Sequence, residues 1–149
     1  MRKAIALSIG NIKKGGGPFG AVVVKDNKII ATGTNRVTHK NDPTAHAEVT
    51  AIRKACRKLG TFDLSDCQIY SSCEPCPMCL SAIYWAHIDK LFYGNTKADA
   101  KYIDFDDSFI YDEIALSPEN RKLISTQILA EEAIVAFENW AKTTNKIKY

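Results

Sequence analysis

His46-Ala47-Glu48 and Pro75-Cys76-Pro77-Met78-Cys79 each stand where an apolar-periodic helix begins, and one strand-like run separates them. Cys76 and Cys79 are three residues apart, so one helical turn projects both sulfurs from the same face. Helices and strands alternate from the first of these helices onward, which is the pattern of an α/β chain.

The rest of the chain agrees with this layout. Ala4, Ile5, Leu7, Ile9 and Ile12 recur at helical spacing in a first segment that runs to about Lys14 and breaks at Gly15-Gly16-Gly17-Pro18. Two β-branched runs, Phe19 to Val24 and Ile29 to Thr32, flank Lys25-Asp26-Asn27-Lys28 and read as a hairpin. A polar stretch from Asn35 to Pro43 leads to a second helix from about Thr44. Its apolar face carries Ala45, Val49, Ile52, Cys56 and Leu59, and Gly60 stops it. Arg53, Lys54, Arg57 and Lys58 lie largely opposite, as a solvated face.

Cys67 to Ser71 reads as a third strand, the following helix reaches about His87, and Lys90 to Gly94 is a fourth strand. Residues 95 to 120 are expected to be helical in pieces. Leu123 to Leu129 is expected to be a fifth strand, and Ala130 to Lys142 a final helix. The expected class is α/β, with one mixed five-stranded sheet between helical layers.

With 149 residues the chain can bury one good core and is short for two ordinary domains, so a single domain over 1–149 is expected. The net charge of +3 is mild. A polynucleotide binder usually shows a stronger basic stripe, so a small-molecule substrate is expected and no nucleic acid. No run approaches the roughly 20 apolar residues of a membrane helix. The apolar stretch near Met1 is short and meets Lys13-Lys14 with no convincing cleavage site, so a cytoplasmic protein is expected. Five cysteines is an odd count without the spacing of a disulfide framework, which leaves Cys76 and Cys79 as a metal-binding or redox pair.

Two thiolates and the His46 imidazole form a three-donor set for zinc with the fourth tetrahedral position left to water, the arrangement of catalytic sites. The positive ends of the two helices favour thiolate over thiol. Glu48, two residues past His46, can reach that water without ligating and serve as general base, then as acid. The combination H-x-E followed by P-C-x-x-C is the pattern of zinc deaminases. Cys56, Cys67 and Cys73 are read as structural, and His39 and His87 as surface residues.

On these residues the chain resembles the cytidine deaminase superfamily and, within it, the short bacterial guanine deaminases. The likeness covers most of the chain. It rests on 16–22, 41–53, 72–79 and 82–86, and on Phe105-Asp106-Asp107-Ser108-Phe109-Ile110-Tyr111 with a terminal Tyr149. The resemblance implies a three-layer α/β/α fold, zinc held by His46, Cys76 and Cys79, and proton transfer by Glu48. It also implies a purine pocket lined by Phe19, Asn35, Ala47, Trp85, Asp107 and Tyr149. It further implies a homodimer in which the C-terminal segment, about 130–149, crosses to complete the partner's site. His87, Ser81 and Asp104 depart from the pattern. Asp104 stands where a glycine is usual and adds charge near the proposed pocket.

Guanine also fits on chemical grounds. Its C2 carries an amino group beside imine-like N3, and N1–H and the amino group are donors that a carboxylate such as Asp107 can accept. Adenine offers a bare acceptor at N1, and mispairing buried polar groups costs about 1–3 kcal/mol. The other reading of Asp107 is an acidic helix start capping Ser108 onward. Guanosine deamination, editing of a tRNA adenosine and a non-catalytic zinc module are the competing functions.

Overall fold

A computed structural model describes residues 1–148; the expectations for Tyr149 lie outside the described residues. The chain forms two compact units, residues 1–108 and the part from Phe109 onward.

The first unit contains α1 (Arg2–Ile12), the hairpin β1 (Gly20–Lys25) and β2 (Lys28–Thr34), and a single helical turn α2 (Val37–Lys40). Then come α3 (Ala47–Leu59), β3 (Cys67–Cys73), α4 (Pro77–Trp85), β4 (Lys90–Asn95) and α5 (Lys97–Tyr102). The strands form one mixed sheet in the order β2-β1-β3-β4. β1 is antiparallel to both β2 and β3, while β3 and β4 run parallel. β2 and β3 run parallel on either side of β1 and are joined by a crossover through α3; the adjacent parallel pair β3 and β4 is joined by α4.

Two glycines show why helices cover opposite faces. Gly20 and Ala21 are adjacent on β1, so their side-chain directions oppose each other. A Cβ on Gly20 would come 2.5 Å from the Ala4 carbonyl oxygen of α1. Gly33, paired with Ala21, would bring a Cβ 2.0 Å from the Ala47 carbonyl oxygen of α3. α1 therefore lies on one face and α3 on the other, each closer than any side chain on those glycines would allow.

The main core lies under α3, where Ala21, Val23, Ala31 and Ile69 of the sheet meet Ala47, Ala51, Ile52 and Ala55. Of the expected apolar face, Ala45, Val49 and Ile52 are buried, and Cys56 and Leu59 pack against the core; Ala47, Ala51 and Ala55 join them against the sheet. Alanine is what lets helix and sheet approach so closely. The expected polar stretch at 35–43 contains the turn α2, closed by Asn41 in a left-handed conformation with φ of 49°.

The second unit holds most of α6 (Ser108–Ala115), one 3₁₀ turn (Pro118–Asn120) and α7 (Ala130–Lys142). The five-stranded expectation is corrected here: the sheet has four strands, and Leu123 to Leu129 is irregular chain. Leu123, Ile124, Ile128 and Leu129 are all exposed, and Leu129 turns left-handed to start α7. Alternating β-branched residues give a strand only where a neighbouring strand supplies the ladder bonds, and this segment has no such neighbour among the described residues. α7 matches the expected bounds and exposes Ile134, Val135, Phe137 and Trp140. No helix of the described residues is long and apolar enough to cross a membrane.

Candidate metal centre and substrate cleft

His46 and Cys76 occupy equivalent places in two different helices. Each is the residue just before the first turn, with extended backbone at φ −68°, ψ 162° and φ −63°, ψ 167°. Pro77 opens α4, where its missing N–H costs no helical bond. Glu48 and Cys79 follow inside the first turns. Both helix N-termini thus point at one spot, and their partial positive charge favours anionic sulfur there.

The Nδ1 of His46 lies 3.5 Å from Sγ of Cys76 and 3.5 Å from Sγ of Cys79. Zinc–sulfur bonds of ~2.3 Å and zinc–nitrogen bonds of ~2.0–2.1 Å at a tetrahedral angle place S and N about 3.6 Å apart. The donors therefore already have the edge lengths of a zinc tetrahedron, and all three ligand atoms lie within 4.8 Å of one another. Among the described residues the group contains these three side chains and no fourth. The residues present fit the ion.

Electrostatics agree with that donor set. The Cys79 thiol donates towards Cys76, and His46 lies beside it, so Cys76 is held well below the usual thiol range. Cys79 is driven well above it by that same bond and by burial. The hydrogen bond with Cys76 also raises the His46 imidazole.

Glu48 is 5% exposed, and burial pushes its carboxyl above the ordinary glutamate range. One oxygen, Oε1, accepts the Ser71 hydroxyl at 2.7 Å; the other, Oε2, lies 3.4 Å from Sγ of Cys79. Cys73, buried at the end of β3, is pushed up to about 11 by burial and then by the Glu48 charge. It stays a thiol beside the donor group rather than joining it.

A cleft of about 490 Å³ opens onto His46, Glu48 and Cys76. Phe19, Asn35 and Asp107 line it as well. The Phe19 ring meets Phe105 edge to face at 5.0 Å and 88°, which fixes an aromatic wall. Asn35 is tied from both sides: its Oδ1 accepts the Val37 N–H at 3.2 Å, and its carbonyl accepts Nδ2 of Asn11 at 2.8 Å. The same Asn11 nitrogen holds the Gly17 carbonyl at 2.8 Å, so one buried side chain of α1 fastens the glycine loop and the end of β2.

Asp106 supplies the helix-start bonds that the alternative reading gave to Asp107, accepting the Ser108 N–H at 3.0 Å and its hydroxyl at 2.6 Å. Lys101, at 2.8 Å, holds Asp106 well below the usual carboxylate range. Asp107 faces the cleft instead, and burial followed by the Cys76 charge raises it. Asp104 also lines the cleft, in a left-handed conformation with φ of 66°. That geometry accounts for the glycine that the resemblance leads one to expect there; aspartate is among the few side chains that tolerate it.

Two of the expected pocket residues are not among those lining the cleft. Ala47, between His46 and Glu48, is fully buried against Gly33, and Trp85 is 64% exposed beside Ser81 and Tyr84. Ser71 and Asn11 escaped the sequence reading. Their only signals were strand alternation, which puts Ser71 on the α3 side, and the polar Asn11 three residues after Ser8 on α1.

The family model of the cytidine and deoxycytidylate deaminase zinc-binding region matches residues 1–95. The guanine deaminase of Bacillus subtilis (strain 168) is 52% identical over 150 residues, spanning 100% of this chain and 96% of that protein. The X-ray structure of guanine deaminase from Bacillus subtilis superposes with a TM-score of 0.96 over 99% of this chain and 95% of that one. The tRNA-specific adenosine deaminase of Buchnera aphidicola subsp. Schizaphis graminum is 36% identical, over 84% of this chain and 80% of its own length.

Proposed function

The chain belongs to the cytidine and deoxycytidylate deaminase zinc-binding family, and from that premise we propose that it hydrolyses guanine to xanthine and ammonia. The observation that carries this reading is the three-donor group of His46, Cys76 and Cys79 with Glu48 beside it, opening onto a cleft of about 490 Å³. Similarity at 52% identity along the whole chain to a guanine deaminase selects the base. The tRNA-specific relative is more distant and is matched over less of the chain.

His46, Cys76 and Cys79 would hold the zinc. When bound, it lowers the pKa of a coordinated water from ~15.7 towards ~7 and so supplies the nucleophile at neutral pH. Glu48 takes one proton from the attacking water and delivers it to N3, then takes the second from the oxygen now bonded to C2 and delivers it to the departing amine, which leaves as ammonia. Asp107 accepts from N1–H and the amino group, Asn35 meets the carbonyl or imidazole edge, and Phe19 stacks on the ring. Burial of Glu48 supports the role, since a carboxylate raised above its ordinary range is a stronger base for taking a proton.

The protein is proposed to work in the cytoplasm as a homodimer, with segment 130–149 and Tyr149 closing the partner's cleft. The exposed apolar side chains of α7 support an intersubunit use of that segment. Ammonia release should be measured with guanine, guanosine, adenine, cytosine and tRNA, with and without chelator. Guanine should be the preferred substrate and the chelator should stop the reaction. Preference for guanosine or tRNA would replace this reading.

A further inference from the structure

Ser71 and Ser72 are neighbours on the central strand β3 and point to opposite faces of the sheet. Ser72 serves the α1 side, where its Oγ accepts the Gly20 N–H at 3.0 Å. Ser71 faces α3 and donates to Oε1 of Glu48 at 2.7 Å, with its own side chain 1% exposed. Its backbone is held in register on both sides, opposite Ala21 of β1 and Tyr93 of β4. The donor therefore sits on a central strand, paired on both sides.

The terminal torsion of a glutamate is broad, so a carboxyl at the end of that side chain does not choose an orientation by itself. Proton transfer needs heavy atoms within about 2.6–3.2 Å, and a misplacement of about 1 Å can cost on the order of a hundredfold in rate. Glu48 has one oxygen bound by Ser71 and the other, Oε2, on the side of the sulfur and nitrogen donors.

We propose that Ser71 is a positioning residue for the reaction: by holding Oε1, it makes Oε2 the atom that takes and returns the proton. The assignment rests on the deaminase reading, in which Glu48 moves protons between water, the ring and the leaving amine. Ser71 touches neither substrate nor zinc and acts only through the orientation of Glu48. Ser72, identical in type and adjacent in sequence, is the built-in comparison because its bond is purely architectural.

The test compares Ser71→Ala, Ser71→Thr and Ser72→Ala in the zinc-loaded enzyme, alongside wild type. Ser71→Ala should lower kcat on guanine about tenfold to a hundredfold with KM within about threefold. Its zinc content should stay near wild type, and its melting temperature should fall no further than that of Ser72→Ala. Ser71→Thr, which keeps the hydroxyl, should recover most of the lost kcat. Ser72→Ala should lower the melting temperature without that selective loss.

A second readout uses metal-free protein: the infrared carboxyl band of Glu48, identified by its disappearance in Glu48→Gln, should shift in Ser71→Ala and return in Ser71→Thr. The proposal is overturned if Ser71→Ala keeps kcat within about twofold, if its loss follows zinc or stability, or if the band does not move. Wild type that releases no ammonia from guanine would sink the deaminase reading, and the infrared band would still report separately whether Ser71 holds Glu48.

Discussion

The imidazole Nδ1 of His46 stands 3.5 Å from Sγ of Cys76, although the two residues are separated by all of α3 and β3. The separation is the sulfur–nitrogen edge of a zinc tetrahedron, and it arises because each residue occupies the last extended position before its helix. Metal affinity here is a property of two helix starts meeting.

Removal of the metal follows directly. Dialysis against a strong chelator should abolish ammonia release, and zinc should restore it. Cys79→Ser should lower bound zinc well below one per chain, read by atomic absorption. A variant that kept stoichiometric zinc would remove Cys79 from the ligand set.

Glu48→Gln keeps the shape and the Ser71 contact but cannot take a proton. Its kcat should fall about a hundredfold to ten-thousandfold, the usual contribution of general acid–base catalysis. Zinc content, measured on the same sample, should be unchanged.

Asp107 faces the cleft while Asp106 bonds Ser108. Asp107→Asn should therefore lower kcat/KM for guanine about tenfold to a hundredfold through a mispaired N1–H. Bound zinc should stay at the wild-type level, because Asp107 is not among the ligand group. An unchanged kcat/KM would deny Asp107 the substrate contact.

Gly33 faces the Ala47 carbonyl, and a Cβ would intrude to 2.0 Å of that oxygen. Since α3 must move outward, Gly33→Ala should destabilise the fold by about 1–3 kcal/mol or more in urea unfolding. Because α3 carries Glu48 and starts at His46, activity should drop as well. The displaced helix takes half of the site with it.

Cys73 is buried and its thiol is pushed up to about 11. The shift is upward, so the reactive thiolate is scarce there at pH 8. Peptide mapping after iodoacetamide treatment of the zinc-loaded enzyme should leave Cys73 unmodified, despite its place three residues before Cys76. Rapid labelling would mean that the end of β3 opens readily.

Much of this protein was legible before folding was considered. Helix starts at His46 and Cys76, the Asp-Asn hairpin turn and the bounds of α7 depend on residues close in sequence, and local chemistry is enough to read them. The donor set His46, Cys76 and Cys79, with Glu48 beside it, was readable for the same reason. Each residue type has few uses at those positions.

What only the tertiary structure decided involves partners distant along the chain. Leu123 to Leu129 has the pattern of a strand but no neighbouring strand among the described residues, so it stays irregular. The bond from Ser71 to Glu48, the tie from Asn11 to Asn35 and the position of Trp85 outside the cleft lining are likewise set by which surfaces meet. The sequence alone determined which chemistry the chain carries, because ligand and base identities are local. Packing decided where each group points, because an orientation exists only when a second, remote group holds it.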